Sequence, residues 1–439
     1  MDDAFYVLVT GANSGIGFAI CCRLIDEFLQ TRPQSQTLVL IPTTRSRRKC
    51  DDTVKHLEAH LQRASAKAEK SIPGISMVLQ KRVRLQPEIL DLCSIVSVQQ
   101  CASRLRSGIP KLDAMIFNAG IGGWTGVNWP WAIYKILTDW VAATTWPVGF
   151  KKATIGMVTK PQVGEEASNG TVTGPAAGSA AEPPLGEVFC ANVFGHYLLG
   201  HYCAPLLSAA RPASGRIIWM SSLEAYASEF SLDDFQGLKS DQPYEASKRL
   251  TDVLTLTYDS PSTRPWTSRY ASADKQAAGE LADEKRPRMY LSHPGIVVTG
   301  IFPLPFPWLM IYLWMLASYI SRWLGSTWHT VRPYSAAVSS VWLALASQET
   351  LDEAEGREGK GKWGSSTDRA GHERVIRTEV EGWGWGGILG ESTNRKGRKR
   401  GALALKEGDR EAFEELGRKC WSQMEELREQ WEARVGNVV

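Results

Sequence analysis

Tyr244 and Lys248 stand four residues apart in the run Pro243-Tyr244-Glu245-Ala246-Ser247-Lys248. On a helix that spacing puts a phenol and an ammonium on one face, one turn apart. A neighbouring positive charge favours the phenolate, so the phenol becomes a proton donor and acceptor that works near neutral pH. Such a group can serve a ketone brought to it with a cofactor. Of the twelve tyrosines, only this one has Lys at the fourth position after it. At a Lys frequency of about 5%, such a pair still arises by chance roughly once in two chains of this size. A surface Tyr and Lys on any helix would read the same way, so the pair takes its meaning from the elements that position it.

Those elements begin at the N-terminus. Phe5 to Val9 is a short apolar run, consistent with a buried parallel strand. Thr10-Gly11-Ala12-Asn13-Ser14-Gly15-Ile16-Gly17 follows at once, and Phe18 to Leu29 is apolar with helical spacing. Gly11, Gly15 and Gly17 let the backbone turn tightly and approach a pyrophosphate at a helix N-terminus, with Ser14 and Ile16 in the same turn. A second apolar run, Thr37 to Ile41, ends in Thr43-Thr44-Arg45-Ser46-Arg47-Arg48-Lys49. In a dinucleotide-binding unit this strand end meets the adenosine ribose. An acidic residue there would hold the 2′-hydroxyl of NAD, whereas a basic end suits the 2′-phosphate of NADP. Arg45 is the first choice for that phosphate, beside Thr43, with Arg48 and Lys49 as helpers. A solvated basic turn is the plainer alternative.

Further strands are expected at Val83 to Leu92, ending at Asp91, at Leu112 to Phe117, ending at Asn118-Ala119-Gly120, at Arg216 to Met220, ending at Ser221-Ser222, and at Arg288 to Ser292. Strands alternating with helical segments at this spacing argue for an α/β fold with a doubly wound parallel sheet. Glu187 to Leu207 reads as one long apolar helix carrying Asn192, the Tyr244 helix runs to about Tyr258, and Tyr334 to Ala346 reads as another core helix. The main domain is expected over 1–347, with insertions at about 121–185 and 260–287. The first insertion opens Trp-rich (Trp124 to Trp146) and continues Gly-, Ala-, Ser- and Pro-rich from Gly164 to Pro184, as a surface loop would. Its Trp-rich half could cover a lipid-like substrate, rest on a membrane or pack on the domain. The second insertion is polar and expected at the surface.

Ile301 to Ser321 carries no charge, but Pro303, Pro305 and Pro307 break its first third. A helix at the membrane interface or lining a substrate mouth fits this apolar segment, 301–324, better than a span. Residues 348–439 form a charged C-terminal extension, with loops expected at Gly356 to Gly361 and Asn394 to Gly401. Its helical stretch Arg410 to Glu432 reads as solvated.

Composition narrows the classes. The 439 residues are 43% hydrophobic and 22% charged, ordinary for a globular chain, and a net charge of +3 gives no argument for nucleic-acid binding. The eight cysteines form no Cys-x-x-Cys pair and the seven histidines no metal spacing, so reduced structural thiols of an intracellular protein are expected, with no metal. Met-Asp-Asp followed directly by a strand-like run does not fit a signal peptide.

The Gly-rich turn at 11–17, Asp91, Asn118-Ala119-Gly120, Asn192, Ser222, Tyr244-x-x-x-Lys248 and Pro294-Gly295-x-Val297-x-Thr299, in this order, resemble the short-chain dehydrogenase/reductase family, with its Rossmann fold, over roughly residues 5 to 345. Gly195-His196-Tyr197-Leu198-Leu199, Pro243 to Arg249 and His293 to Phe302 are similar to the fungal 3-keto-steroid reductases, which act in sterol C-4 demethylation on the way to ergosterol.

The resemblance implies that Tyr244 gives its proton to the ketone oxygen and that Ser222 polarises that oxygen. Lys248 would lower the tyrosine pKa and bond the nicotinamide ribose, and Asn192 would hold a water linking Lys248 to solvent. Asp91 would bond the adenine edge and Asn118 lie beside the adenine ribose. Val297 would bond the carboxamide through its backbone, with Thr299 nearby. Ser222 rather than Ser221 is expected in the serine role, which requires the long loop Leu223 to Asp241 to bulge. The expected activity is reduction by NADPH of the 3-keto group of 4-methyl sterols to the 3β-alcohol. Alternatives are a reductase of another lipid ketone or retinal, or a non-catalytic NADP-binding scaffold. The resemblance further implies an endoplasmic reticulum membrane or lipid droplet location, cytoplasmic face. Its implied partners are the other C-4 demethylation enzymes and oxidosqualene cyclase.

Overall fold

The computed structural model describes residues 4–163, 182–272, 285–300, 307–390, 397–399 and 401–436. The Gly- and Ser-rich stretch at 164–181, part of the second insertion (273–284) and residues 301–306, with Pro303 and Pro305, lie outside the described residues.

The strands in chain order are β1 (Ala4–Val9), β2 (Thr37–Thr44), β3 (Val83–Leu85), β4 (Glu88–Ile89), β5 (Ala114–Phe117), β6 (Trp124–Val127), β7 (Lys151–Ala153), β8 (Arg216–Met220), β9 (Arg288–His293), β10 (Lys362–Thr367) and β11 (Glu373–Thr378). Nine of them form one sheet in the order β11-β10-β9-β8-β5-β1-β2-β3, with β4 also paired to β2. All pairings are parallel except β10 with β11. Successive side chains leave a strand on opposite faces, so both faces of a parallel sheet need cover. Leu8 and Val39 lie in one buried cluster with Phe194, Tyr197 and Leu250, while Val7, Val9 and Leu38 lie in the other with Ile20, Phe28 and Val341. The doubly wound α/β expectation holds.

Several elements differ from expectation. The third strand splits into β3 and β4 around Gln86-Pro87, because Pro87 has no N–H to give the ladder. The long helix is four pieces: Glu187–Phe189, a π-helical turn Cys190–Phe194, Gly195–Tyr202 and Ala204–Ser208. The Trp-rich insertion folds into the β6–β7 pair, helices Trp129–Thr138 and Trp140–Thr145, and a small core of Ala132, Ala143 and Phe150. Part of the second insertion is no surface loop. Helix Arg264–Ala271 buries Thr267 and Tyr270, whose ring lies tilted 4.6 Å from Tyr197 and edge-on 5.5 Å from Trp421.

The C-terminal extension is continuous with the main fold. It lays β10 beside β9 and closes that edge with β11. Its helix Asp409–Val435 is not solvated all round: Phe413, Cys420, Trp421, Met424 and Trp431 join the core that holds Leu250 and Val253. A Cβ at Gly417 would fall 2.4 Å from the Thr257 hydroxyl, so this helix packs directly against the end of the Tyr244 helix. Its charge is partly inward and satisfied there. Tyr197 donates to Glu425 at 2.5 Å, and Arg428 pairs with Glu425 and Glu432 at 2.7 and 2.8 Å.

Candidate active site

A cleft of about 460 Å³ opens where β1, β2 and β5 end. It is lined by Gly11, Ser14, Gly15, Ile16, Gly17, Thr43, Arg45, Lys49, Asp91, Asn118 and Thr299, among others. The candidates of the glycine turn, the basic strand end, Asp91, Asn118 and Thr299 thus line one surface, whereas Tyr244, Lys248, Val297 and the helper Arg48 do not line it.

The cradle is shaped by backbone. A Cβ at Gly17 would stand 2.2 Å from the Gly11 carbonyl oxygen and 2.5 Å from the Asn118 amide nitrogen. Gly11, at φ +68°, has the Ala119 backbone so near that a Cβ would lie 3.0 Å from its Cα. Only glycine leaves the turn that tight, with the helix Gly15–Thr31 beginning at its edge. Thr10, whose part the sequence did not reveal, ties the turn to the end of β5. Its hydroxyl accepts from the backbone N–H of Asn118 and Ala119 at 2.9 and 3.0 Å and meets His196 Nε2 at 2.8 Å. Burial holds His196 neutral, its pKa down to about 3. With Nδ1 toward the Asn192 carbonyl at 3.2 Å, Nε2 is left to accept the Thr10 proton. Arg45 and Lys49 are exposed at the basic end of the cleft. Asp91 lies along the same wall, one oxygen accepting from Cys93 N at 3.0 Å.

Asn192 sits in the π-helical turn, a form found often at functional sites. Its amide donates to the Ile121 carbonyl and the Ser247 hydroxyl at 3.0 and 2.9 Å, and its oxygen accepts from Ile121 N at 2.8 Å. One lone pair of that oxygen remains. The turn His293-Pro294-Gly295 is held from the C-terminal extension: His293 Nε2 donates to Thr378 at 2.5 Å, while Nδ1 accepts from Gly295 N at 3.1 Å. Val297 pairs with Val331 through the N–H of Val298 and the carbonyl of Ile296, so its own peptide groups face the other way. Val331 holds φ +63°, a strain of about 1–3 kcal/mol for a β-branched residue.

Tyr244 opens the helix Pro243–Leu256 on its first turn, and Lys248 follows one turn later. The two serines of the β8 end divide their work. Ser221 is buried and donates to Asp252 at 2.5 Å, away from Tyr244. Ser222 accepts from Glu224 N at 3.1 Å, and its hydroxyl acts on the Tyr244 phenol, pulling that pKa down. The long loop reaches this geometry through two 3-10 turns, Ala227–Glu229 and Leu232–Asp234, and through Gln236, which accepts from Gly186 N at 2.8 Å.

Burial pushes the Tyr244 phenol well up, the Glu224 carboxylate adds to this, Ser222 pulls it back, and Glu245 raises it further. Lys248 is not among the groups that move it here. The lysine ammonium is drawn instead to the Met220 carbonyl at 2.7 Å, and it lies 5.5 Å from the centre of the Tyr244 ring. Burial, then the charge of Lys362, hold Lys248 itself down to about 8, against the pull of Asp252.

The Trp-rich insertion reaches the same tyrosine. The Trp124 ring lies 4.7 Å from the Tyr244 ring, centre to centre. Lys151 sits 4.1 Å over Trp124 and pairs with Glu224 and Glu245 at 2.6 and 2.9 Å. Its far end exposes Trp129, Trp131, Ile133, Tyr134 and Leu137. Helix Pro307–Trp323 exposes Trp308, Leu309, Tyr312, Leu313 and Leu316, and the two regions meet where Trp140 donates to Ser321 at 2.9 Å. Among the described residues, no helix is long and apolar enough to cross a membrane.

Curated relatives align over nearly the whole chain. The 3-keto-steroid reductase erg27 of Aspergillus fumigatus is 49% identical over 97% of this chain and 94% of its own length. The 3-keto-steroid reductase ERG27 of Gibberella zeae is 41% identical over 99% and 95%. The 3-keto-steroid reductase erg27 of Schizosaccharomyces pombe is 31% identical over 86% and 90%. No family model matches. Among solved structures, the Pseudomonas aeruginosa RhlG/NADP complex is 16% identical, with a TM-score of 0.40 over 77% of this chain and 89% of its own.

Proposed function

The chain belongs to the fungal 3-keto-steroid reductases, within the short-chain dehydrogenases/reductases, and from that premise we propose that it reduces the 3-keto group of 4-methyl sterol intermediates to the 3β-alcohol with NADPH. The observation that carries this reading is Tyr244 one helical turn before the buried Lys248, whose ammonium lies 5.5 Å from the centre of the Tyr244 ring.

The glycine cradle fits a pyrophosphate, and the exposed Arg45 and Lys49 fit a 2′-phosphate. Asp91, Asn118, Val297 and Thr299 would hold the rest of NADPH, with Lys248 at its ribose. When bound, NADPH supplies the hydride. The chain's own groups handle the oxygen. Reduction builds negative charge there, and two hydroxyl donors stabilise it where it develops. Tyr244, its pKa raised by burial and two carboxylates, enters the reaction protonated, as a donor must. Ser222 polarises the carbonyl. Asn192 keeps one lone pair for a water, through which Lys248 exchanges protons with solvent.

The exposed apolar side chains of the Trp-rich insertion and of helix Pro307–Trp323 suit a docking face on the endoplasmic reticulum membrane or a lipid droplet, where the substrate dissolves. Contacts with the other C-4 demethylation enzymes and oxidosqualene cyclase, implied by the resemblance, belong to the same proposal, and co-purification from membranes tests them.

The decisive assay is a panel of a 4α-methyl-3-ketosterol, other lipid ketones and retinal, each with NADPH and NADH. The sterol with NADPH should react fastest. Preference for retinal or another ketone would move the substrate assignment, and preference for NADH would overturn the role given to Arg45 and Lys49.

A further inference from the structure

We propose that Asp252 and Lys362 are positioning residues of this reduction site, holding the strand end Met220–Ser222 so that the Ser222 hydroxyl meets Tyr244. The proposal rests on the reading above and adds two residues to it, one of them from the C-terminal extension.

Asp252 stands two turns beyond Tyr244, in line with Tyr244 and Lys248 at four-residue steps. Its side chain and that of Lys362 on β10 are only 1% and 3% exposed. One Asp252 oxygen accepts from Ser221 Oγ at 2.5 Å, and the other accepts from Lys362 Nζ at 2.7 Å. Lys362 also donates to the Ser222 carbonyl at 2.5 Å, while Lys248 donates to the Met220 carbonyl at 2.7 Å. Three consecutive residues are therefore gripped by three buried charged groups. The regular ladder with β9 ends at the Met220–Ser292 pairing. Beyond it the chain needs other partners for its buried polar groups, and these side chains provide them.

A buried ion pair adds little net stability compared with apolar residues of the same volume. What this pair adds is direction. It fixes Ser221 inward, which turns the next hydroxyl along the backbone, on Ser222, to the other side, where it acts on Tyr244. The charged and titratable groups around Lys248 are Tyr244 and Asp252 on its own helix, Lys362 from β10 and the neutral His196 from Gly195–Tyr202. Lys362 is thus also the cationic neighbour of Lys248.

The test uses the full chain with NADPH and a 4α-methyl-3-ketosterol. Lys362→Met removes the charge and keeps the length. Asp252→Asn combined with Lys362→Met leaves no lone buried carboxylate, so it keeps the test alive if the single variant does not fold. Both should lose kcat about 10- to 100-fold with KM for sterol and NADPH within about threefold, the effect of a reacting group displaced by about 1 Å. In Lys362→Met the alkaline limb of the kcat profile should also move to higher pH, which a purely structural role would not cause. A folded double variant with kcat within about twofold of wild type, or a folded Lys362→Met with an unmoved limb, overturns the proposal. Wild-type protein that turns over no sterol sinks the reading above first and this assignment with it.

Discussion

At the β1–β2 end of the sheet, the cofactor cleft is shaped by absent side chains: Gly11 and Gly17 leave the room, and Thr10 and Asn118 hold the turn with neutral hydrogen bonds. At the β10–β11 end, the fold is held by large or charged side chains turned inward: Trp421, Trp431, Lys362, Arg377 and the Glu425–Arg428 pair. The first region loses affinity at a smaller cost in stability, because a backbone cradle is local and the exposed Arg45 and Lys49 lie at its edge. The second cannot be altered without disturbing the core against which the Tyr244 helix packs.

Trp421→Ala should give the largest effect. The indole is fully buried and donates to the Leu254 carbonyl at 3.2 Å, and its loss should cost about 3–5 kcal/mol by denaturant titration. NADPH affinity of the folded protein should stay near wild type. A stable Trp421→Ala protein would break the contrast at once. Gly17→Ala should weaken NADPH binding by about 100-fold, roughly 2.7 kcal/mol, and cost about 1–3 kcal/mol of stability, because its Cβ would press on the Gly11 carbonyl. Arg45→Ala should raise the KM for NADPH about tenfold or more and leave that for NADH unchanged, as expected for a charge-assisted bond to the 2′-phosphate.

The smallest effect is one of pH. Lys248 titrates at about 8, below its ordinary value, because of burial and Lys362. Activity that needs its charge should therefore be full below that pH and fall as pH rises through it. The stability sign is opposite: the unfolded chain keeps the proton longer, so stability linked to this group rises with pH between about 8 and 10.4. A kcat profile flat from pH 7 to 10 would contradict this placement of Lys248.

The same contrast explains what could be read from the chain. The glycine turn, the basic strand end and the Tyr-Lys step are local patterns, since each works through backbone geometry or a fixed helical spacing. Ser221 and Ser222 read alike locally, because what separates them is Asp252 and Lys362, far apart in sequence. The π-helical turn around Asn192 left no mark in an apolar run that reads as one helix. The C-terminal helix looked solvated because its inward charges pair with each other and with Tyr197, and a count of charges cannot tell which face they occupy. Trp421 and Trp431 were the signal available there, and the surrounding Glu and Arg residues hid it. Thr10 carries no signal of its own, because threonine before a glycine turn is ordinary; the bonds to Asn118, Ala119 and His196 exist only in the folded chain.

The central claim, hydride and proton delivery to a sterol 3-ketone at Tyr244, is tested most directly with NADPH deuterated at C4. Purified protein is incubated with that cofactor and a 4α-methyl-3-ketosterol, and the product is analysed by mass spectrometry. Wild-type protein should give the 3β-alcohol with one deuterium at C3, and Tyr244→Phe should give none. No labelled alcohol from the wild type, or labelled alcohol formed at the wild-type rate by Tyr244→Phe, would contradict the account.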